Sequence, residues 1–185
     1  DKKNNKFTIV HVSGLNDAQK NITGMLKVAK LLENEIDSFT WKFIGGTSEN
    51  FKKLIADLQF KTAKIKFLNH VSQKELATHL QSANLCVSFS NFETFGIVMP
   101  EAIASGTFVI STNNGILNEL EPQDFFSIIP IKDKNALTTE IVKQYKNLTK
   151  LNTKKMHLFI KNRFSQEIIS EEFSKLYFKT LNKNS

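Results

Sequence analysis

A regular alternation of short apolar runs with amphipathic stretches limits the folds that are open to this chain. Six runs have the length and composition of strands, at residues 7–12, 39–44, 65–68, 85–89, 108–111 and 126–129. Stretches with helical spacing separate them, at residues 21–32, 48–58, 72–82, 99–105 and 116–120. Strands joined by helical crossovers run parallel, and strands that are apolar throughout are covered on both faces. The alternation therefore predicts an α/β fold with a doubly wound, six-stranded parallel sheet.

Beyond Pro130 the pattern becomes wholly helical. Helices are predicted at residues 135–145, 153–162 and 165–181. The last of them carries an apolar stripe made of Ile168, Ile169, Phe173, Leu176 and Tyr177. We divide the chain into a linker at residues 1–6, the sheet domain at residues 7–150 and C-terminal helices at residues 151–185. Because ligands of open α/β sheets bind beyond the carboxyl ends of the strands, functional residues are expected in the loops that follow them.

Composition narrows the class of protein and the compartment. The single cysteine, Cys86, excludes an internal disulfide and suits a reducing, cytoplasmic compartment. No run approaches the roughly 18–20 apolar residues that a membrane span needs. The net charge of +7 favours a partner that carries phosphate, but Arg163 is the only arginine. Readers of nucleic-acid sequence depend on arginine, so a nucleic-acid partner is not expected.

Residues 90–106, SNFETFGIVMPEAIASG, lie where a strand ends and a helix begins. Pro100 falls in the first helical turn, where its missing N–H costs nothing. Gly96 allows the backbone to approach a ligand closely, and exposed amides before a helix suit an anionic group such as phosphate. Glu93 and Glu101 flank that position, and their carboxylates can accept hydrogen bonds from sugar or ribose hydroxyls. The helix dipole alone also favours an acidic residue at the position of Glu101.

The complete string resembles the signature of the family 4 glycosyltransferases of the GT-B fold. In that signature a glutamate is followed by seven residues and a second glutamate, as are Glu93 and Glu101 here. Blocks at residues 12–22, 43–47, 65–72 and 109–119 are similar to further blocks of the family and occur in its order. The resemblance covers residues 7–181. It implies one half of a GT-B fold, namely the Rossmann-like, donor-binding C-terminal domain of a retaining enzyme.

The resemblance also implies a role for each matched residue. Glu101 would bind the ribose hydroxyls of a donor nucleotide, and Glu93 would contact hydroxyls of the transferred sugar. Lys20, expected at the start of the helix at residues 21–32, would neutralise the diphosphate, and the backbone beside Val71 would meet the base. Backbone amides would hold the sugar and the distal phosphate at Phe95, Gly96, Ile97 and Val98. The resemblance implies a UDP- or GDP-linked sugar as substrate, with no cofactor and no metal, and the absence of an Asp-x-Asp triplet agrees with that.

Departures from the family pattern keep other interpretations open. The family pairs this lysine with an arginine in a Gly-Arg-Leu block, and the matching residues here are Ser13, Gly14 and Leu15. A degenerate sugar-nucleotide-binding module and an epimerase of the same fold therefore remain alternatives. A pyridoxal-dependent phosphorylase is disfavoured because no lysine lies in residues 97–106, and a nucleic-acid-binding module rests on charge alone. The four histidines, at positions 11, 70, 79 and 157, lack metal-ligand spacing.

The sequence thus predicts half of a bacterial hexosyltransferase that serves cell-surface polysaccharide, glycolipid or glycoprotein assembly. The enzyme is expected in the cytoplasm, at the inner face of the membrane, with peripheral membrane contact at most. An N-terminal acceptor-binding domain is the expected partner, and the helices at residues 151–185 would pack back toward it. The chain alone is expected to bind a nucleotide sugar weakly and to show no transfer.

Overall fold

The computed structural model describes residues 6–147 and 150–181, and within them six strands form one parallel sheet. The strands are β1 (Phe7–Val12), β2 (Phe39–Ile44), β3 (Ala63–Leu68), β4 (Leu85–Ser88), β5 (Phe108–Thr112) and β6 (Phe126–Ile129). Their order in the sheet is β3-β2-β1-β4-β5-β6, and each neighbouring pair is parallel. The predicted doubly wound sheet is confirmed. Its strand order reverses between β1 and β4, which places a crevice at the carboxyl ends of these two strands.

Helices lie on both faces of the sheet. They are α1 (Asp17–Lys20), α2 (Ile22–Leu32), α3 (Lys52–Leu58), α4 (Gln73–Ser82), α5 (Val98–Ala104), α6 (Lys134–Lys146), α7 (Thr153–Phe164) and α8 (Gln166–Leu181). Short 3₁₀ turns occur at Glu49–Phe51 and Ile116–Glu119. Across the described ranges, no helix has the length and apolar content needed to cross a lipid bilayer.

Each face of the sheet has its own apolar core. Ile9 of β1 points into a core that α2 and α6 cover, whereas the next residue, Val10, points into a core that α5 and α7 cover. In the first core the rings of Trp41 and Phe43 stack at 5.7 Å, and Phe43 stacks on Phe67 at 5.0 Å. This two-sided burial explains why β1, β2, β4 and β5 are apolar almost throughout.

The helix predicted at residues 21–32 is preceded by a separate short helix, and this corrects the expected position of Lys20. Asn21 adopts a left-handed conformation, with φ 54° and ψ 47°, and separates α1 from α2. Its side chain accepts a hydrogen bond from the Gly24 N–H, so it caps α2, while Asn16 caps α1. Lys20 therefore lies in the last turn of α1, where the helix dipole favours a cation instead of opposing it.

Other predicted boundaries are close to the observed ones. Ser72 caps α4 in a reciprocal capping box with Glu75, at the start of the helix predicted at residues 72–82. Ser48 makes no side-chain cap, and a 3₁₀ turn precedes α3 at that point. Of the predicted linker at residues 1–6, only Lys6 lies in the described residues. The apolar stripe of α8 is largely open to solvent, with Phe173 58% exposed and Tyr177 69% exposed.

Candidate functional site

The crevice forms because β1 and β4 pair over only a short length. Their register comprises Ile9 with Leu85 and Val10 with Cys86. Beyond this point the imidazole of His11 joins the two strands, since its Nδ1 lies 2.9 Å from the Val87 carbonyl oxygen. A carbonyl can only accept, so Nδ1 carries the proton. The Nε2 atom of His11 then accepts a hydrogen bond from the Ser13 hydroxyl at 2.7 Å.

The hydrogen bonds of His11 to Val87 and Ser13 fix the loop after β1. Burial lowers the pKa of His11 to about 4, although its bond to Val87 acts in the opposite direction. The imidazole is therefore neutral near pH 7 and keeps one tautomer. The Ser13 oxygen also accepts a hydrogen bond from the Leu15 N–H at 3.1 Å. The turn at Gly14 is thus tied to the floor of the crevice.

A cleft of about 320 Å³ opens above this floor. The loop after β1 and the segment between β4 and α5 supply most of its walls. The lining residues are His11, Val12, Ser13, Gly14, Lys20, Cys86, Val87, Ser88, Glu93, Thr94, Phe95, Gly96, Ile97, Val98 and Met99. The cleft lies at the carboxyl ends of the two strands where the strand order reverses, which is where the fold predicts a ligand.

Lys20 and Glu93 meet across the cleft. The Lys20 ammonium lies 2.5 Å from a carboxylate oxygen of Glu93, and the Glu93 side chain is only 10% exposed. Asn91 holds the two loops together, since its backbone N–H donates to the Gln19 carbonyl and its side-chain amide donates to the Ala18 carbonyl. Lys20, the cation of this cleft that could bind an anion, is therefore paired with the Glu93 carboxylate.

Two glycines fix the position of Glu93. Gly96 and Gly115 have φ values of +78° and +72°, a region that favours glycine. A Cβ atom on Gly96 would lie 3.0 Å from the Glu93 Cγ and would collide with the end of Met99, and one on Gly115 would lie 3.1 Å from the same Cγ. The sequence suggested that Gly96 admits a ligand. The structure shows that it also makes room for the stem of Glu93.

Four consecutive backbone amides at the mouth of the cleft are unpaired. In the part of the chain that the structure describes, no hydrogen-bond acceptor is found for the N–H groups of Phe95, Gly96, Ile97 and Val98. An open row of amides beside a lysine is an arrangement that binds anions. These are the same four amides that the sequence assigned to the sugar and the distal phosphate.

Glu101 and Val71 lie outside the residues that line the cleft. Glu101 is half-buried in the first turn of α5, and burial raises its pKa. Within the described ranges, its carboxylate has neither a hydrogen-bond donor nor a cation as partner. Cys86, whose pKa is raised to about 12 by burial and then by the charge of Glu101, is an inert thiol.

The sequence interpretation missed the groups that build the floor. His11 was considered only as one of four scattered histidines, and Ser13 only as part of a changed family block. A usable signal was present, because a polar His11 interrupts an apolar strand and a hydroxyl follows two residues later, on the same face of an extended chain. The hydrogen bond between His11 and the Val87 carbonyl could not be predicted, since it depends on the pairing of β1 with β4.

Comparison with known proteins gives a family and a fold. Residues 1–166 match the model of a family described as glycosyl transferases group 1. A search among curated proteins finds no significant match. The match to the family model spans most of the sheet domain and α7.

Solved structures share the fold at low sequence identity. Sucrose-phosphate synthase from Thermosynechococcus elongatus superposes with a TM-score of 0.80 at 24% identity, covering 97% of this chain and 46% of that one. HepE from Anabaena, solved with UDP and glucose, gives a TM-score of 0.78 at 17% identity, with 95% and 49% covered. The pneumococcal O-GlcNAc transferase GtfA, solved with UDP and GlcNAc, gives 0.72 at 21% identity, with 95% and 36% covered. This chain thus spans less than half the length of these three structures.

Proposed function

The chain belongs to the glycosyl transferases group 1 family, and we propose that it is the donor-binding half of a retaining hexosyltransferase. The donor is a nucleoside-diphosphate sugar, UDP- or GDP-linked, and the acceptor is a glycan, a lipid or a protein. Retention of configuration is inferred from the resemblance carried by Glu93 and Glu101. We place the enzyme in the bacterial cytoplasm, in cell-surface polysaccharide assembly.

The observation that carries this proposal is the row of four unpaired amides beside Lys20. A nucleoside diphosphate has two phosphate groups, and amides with a lysine can neutralise and orient them through hydrogen bonds. Glu93 lies in the same cleft and can accept hydrogen bonds from sugar hydroxyls. When a diphosphate enters, Lys20 has a second anion to bind, and one oxygen of Glu93 becomes available to the sugar. HepE and GtfA, which share the fold, were solved with UDP.

Glu101 is assigned to the ribose. Its carboxylate is half-buried, has a raised pKa, and lies one turn along α5 from the amide row. A desolvated carboxylate without a cation partner is satisfied when hydroxyl groups donate to it. The backbone at Val71, in the loop after β3, is assigned to the base.

The second half of the enzyme is proposed to be an N-terminal acceptor-binding domain. The three structures compared above are about twice as long or longer, because this chain covers between 36% and 49% of them. The exposed apolar stripe of α8 is the surface proposed to pack against that domain. Within residues 151–185, α7 packs on the sheet through Met156 and Ile160, so α8 is the helix assigned to this contact.

Calorimetric titration of the chain with UDP, GDP and ADP tests the donor site. We expect one of these nucleotides to bind, and we expect Glu101→Ala to weaken it about tenfold or more through the loss of ribose hydrogen bonds. Glu121→Ala, which removes an exposed carboxylate outside the cleft, is the matched control and should leave the affinity unchanged.

The same titration separates the alternatives. Failure of all three nucleotides to bind would overturn the proposal in favour of a degenerate module. Equal loss of affinity in Glu101→Ala and Glu121→Ala would remove the ribose assignment. An epimerase would be indicated if the complete enzyme converted a nucleotide sugar without any acceptor.

A further inference from the structure

A cluster of basic side chains lies away from the cleft, on the half of the sheet formed by β2 and β3. Lys64 and Lys66 alternate along β3, which is an edge strand, and both are exposed. Lys66 is the register partner of Lys42 on β2, so the three side chains project from one face. Lys6, before β1, and His79, on α4, complete the group. We call these five residues the basic patch.

The lysines of the basic patch lie close enough to repel one another. Lys42 also donates a hydrogen bond to Nδ1 of His79, at 3.4 Å. Burial and then the charge of Lys66 lower the pKa of Lys42, and desolvation followed by the charge of Lys64 lowers the pKa of Lys6. Glu75 is the acidic group that acts on His79, but its carboxylate is bound in the cap of α4. Like charges on directly opposed strand positions destabilise a sheet.

The lysines of the basic patch are not neutralised by acidic side chains, and those on the edge strand are open to solvent. Within the described residues, none of the four lysines forms a salt bridge. Thr40 and Ile44, which share the face of Lys42 on β2, are buried, whereas Lys64 and Lys66 on β3 are exposed. The open part of this face is therefore the edge of the sheet.

Protection of the sheet edge explains only part of the patch. Lysines on an edge strand discourage pairing with another strand, and Lys64 and Lys66 can serve that purpose. Lys42 lies on β2, inside the sheet, and is half-buried. A half-buried ammonium beside like charges lowers the stability of the fold, and a neighbouring anion removes that cost.

We propose that the basic patch docks this domain on the anionic headgroups of a phospholipid membrane. Lysines on one face of a sheet present their charges together. The phosphate groups of a membrane surface form a planar array that such charges can match. Lysine binds phosphate as a point charge without the forked geometry used to read bases. The only arginine lies elsewhere, with its guanidinium 3.9 Å from the Phe159 ring. The exposed large apolar side chains of the described residues also lie outside the patch, so no platform for base stacking is present.

Co-sedimentation of the chain with lipid vesicles tests the proposal. Vesicles of phosphatidylglycerol and phosphatidylcholine in equal parts are compared with vesicles of phosphatidylcholine alone, at low and at high salt. We expect binding to the anionic vesicles only, and we expect it to weaken as salt rises. The double variant Lys64→Glu with Lys66→Glu should bind at least about 25-fold more weakly, since each lysine near a charged surface contributes about fivefold.

A matched control separates the patch from net charge. Lys154→Glu with Lys161→Glu makes the same charge change at two exposed lysines of α7 and should retain the binding. Thermal unfolding and nucleotide titration of both variants verify the fold and are independent of vesicle binding. If the glutamate variant fails to fold, Lys64→Gln with Lys66→Gln replaces it.

Three results would each overturn the proposal. The first is equal binding of the wild type to both kinds of vesicle. The second is an equal loss of binding in the patch and control variants, which would indicate net charge alone. The third is patch-dependent binding of single-stranded RNA without binding to vesicles, which would assign the surface to nucleic acid. None of these results affects the proposed donor site, because the patch and the cleft share no residue.

Discussion

At the level of single side chains, the position of Glu93 depends on two residues that have no side chain. Gly96 and Gly115 leave the space that its stem occupies, and both require positive φ. Lys20 then closes the arrangement from the other wall. The position of the Glu93 carboxylate is therefore set by backbone conformation as much as by its ion pair with Lys20.

Gly115→Ala should lower the stability of the fold and damage the cleft, whereas Gly14→Ala should leave the stability unchanged. At Gly115 a Cβ would meet the Phe95 carbonyl oxygen at 2.9 Å and the backbone has φ +72°, so we expect a loss of about 1–3 kcal/mol in stability and weaker nucleotide binding. At Gly14 no atom lies within 4 Å of the added Cβ. Urea unfolding and calorimetric titration of both variants provide the measurement. Similar behaviour of the two would show that Glu93 does not need this support.

The sequence could identify the charged groups of the site but not how they are supported. Glu93, Lys20 and the four amides were found through a resemblance, and the structure brings them into one cleft. The part played by Gly115 in holding Glu93 could not be read, because it depends on a contact between loops after β4 and β5. His11 was missed for the same reason, since its bond to Val87 joins residues that are 76 positions apart.

At the level of helices and strands, Glu33 joins the end of α2 to the start of β3. One of its oxygens accepts hydrogen bonds from the backbone N–H groups of Lys61, Thr62 and Ala63, and the other accepts from Lys30. Although burial acts in the opposite direction, these bonds lower the pKa of Glu33 to about 2 from 4.5. The carboxylate thus supplies an acceptor for three consecutive N–H groups of this turn.

Glu33→Ala should destabilise the fold in a manner that depends on pH. A carboxyl whose pKa is lowered by folding contributes its full stability above about pH 4.5 and loses it as the pH falls toward about 2. We expect a loss of about 2 kcal/mol near pH 7 and a much smaller loss near pH 2. The free energy of unfolding in urea, measured across this range, checks the expectation. Glu35→Ala, at an exposed neighbour, serves as the control, and a loss that is constant with pH would contradict it.

The strands were easier to predict than the helix boundaries. Apolar runs predicted five of six strands to within one residue at each end, because burial fixes their composition. The division between α1 and α2 was not predicted. It depends on the left-handed conformation of Asn21 and on the bond from Thr23 to Asp17, neither of which leaves a periodic pattern in the sequence.

For the complete enzyme, the chain should bind its nucleotide but transfer no sugar by itself. The proposed phosphate and sugar contacts lie in the cleft and the proposed ribose contact lies outside its lining, but the chain covers only 46% of sucrose-phosphate synthase, whose fold it shares in part. Release of nucleoside diphosphate, measured with the donor that binds and a mixture of acceptors, should stay at the rate of spontaneous hydrolysis. Sustained turnover by the chain alone would contradict the proposal that a second domain holds the acceptor.

The short pairing of β1 with β4 divides the sheet into two three-stranded leaves. The apolar cores on both faces continue across this boundary, where Ile9 and Val10 are in register with Leu85 and Cys86. The cleft opens at the carboxyl end of the same boundary, and loops of both leaves line it. A ligand bound in the cleft therefore contacts both leaves at once and acts as a clasp between them.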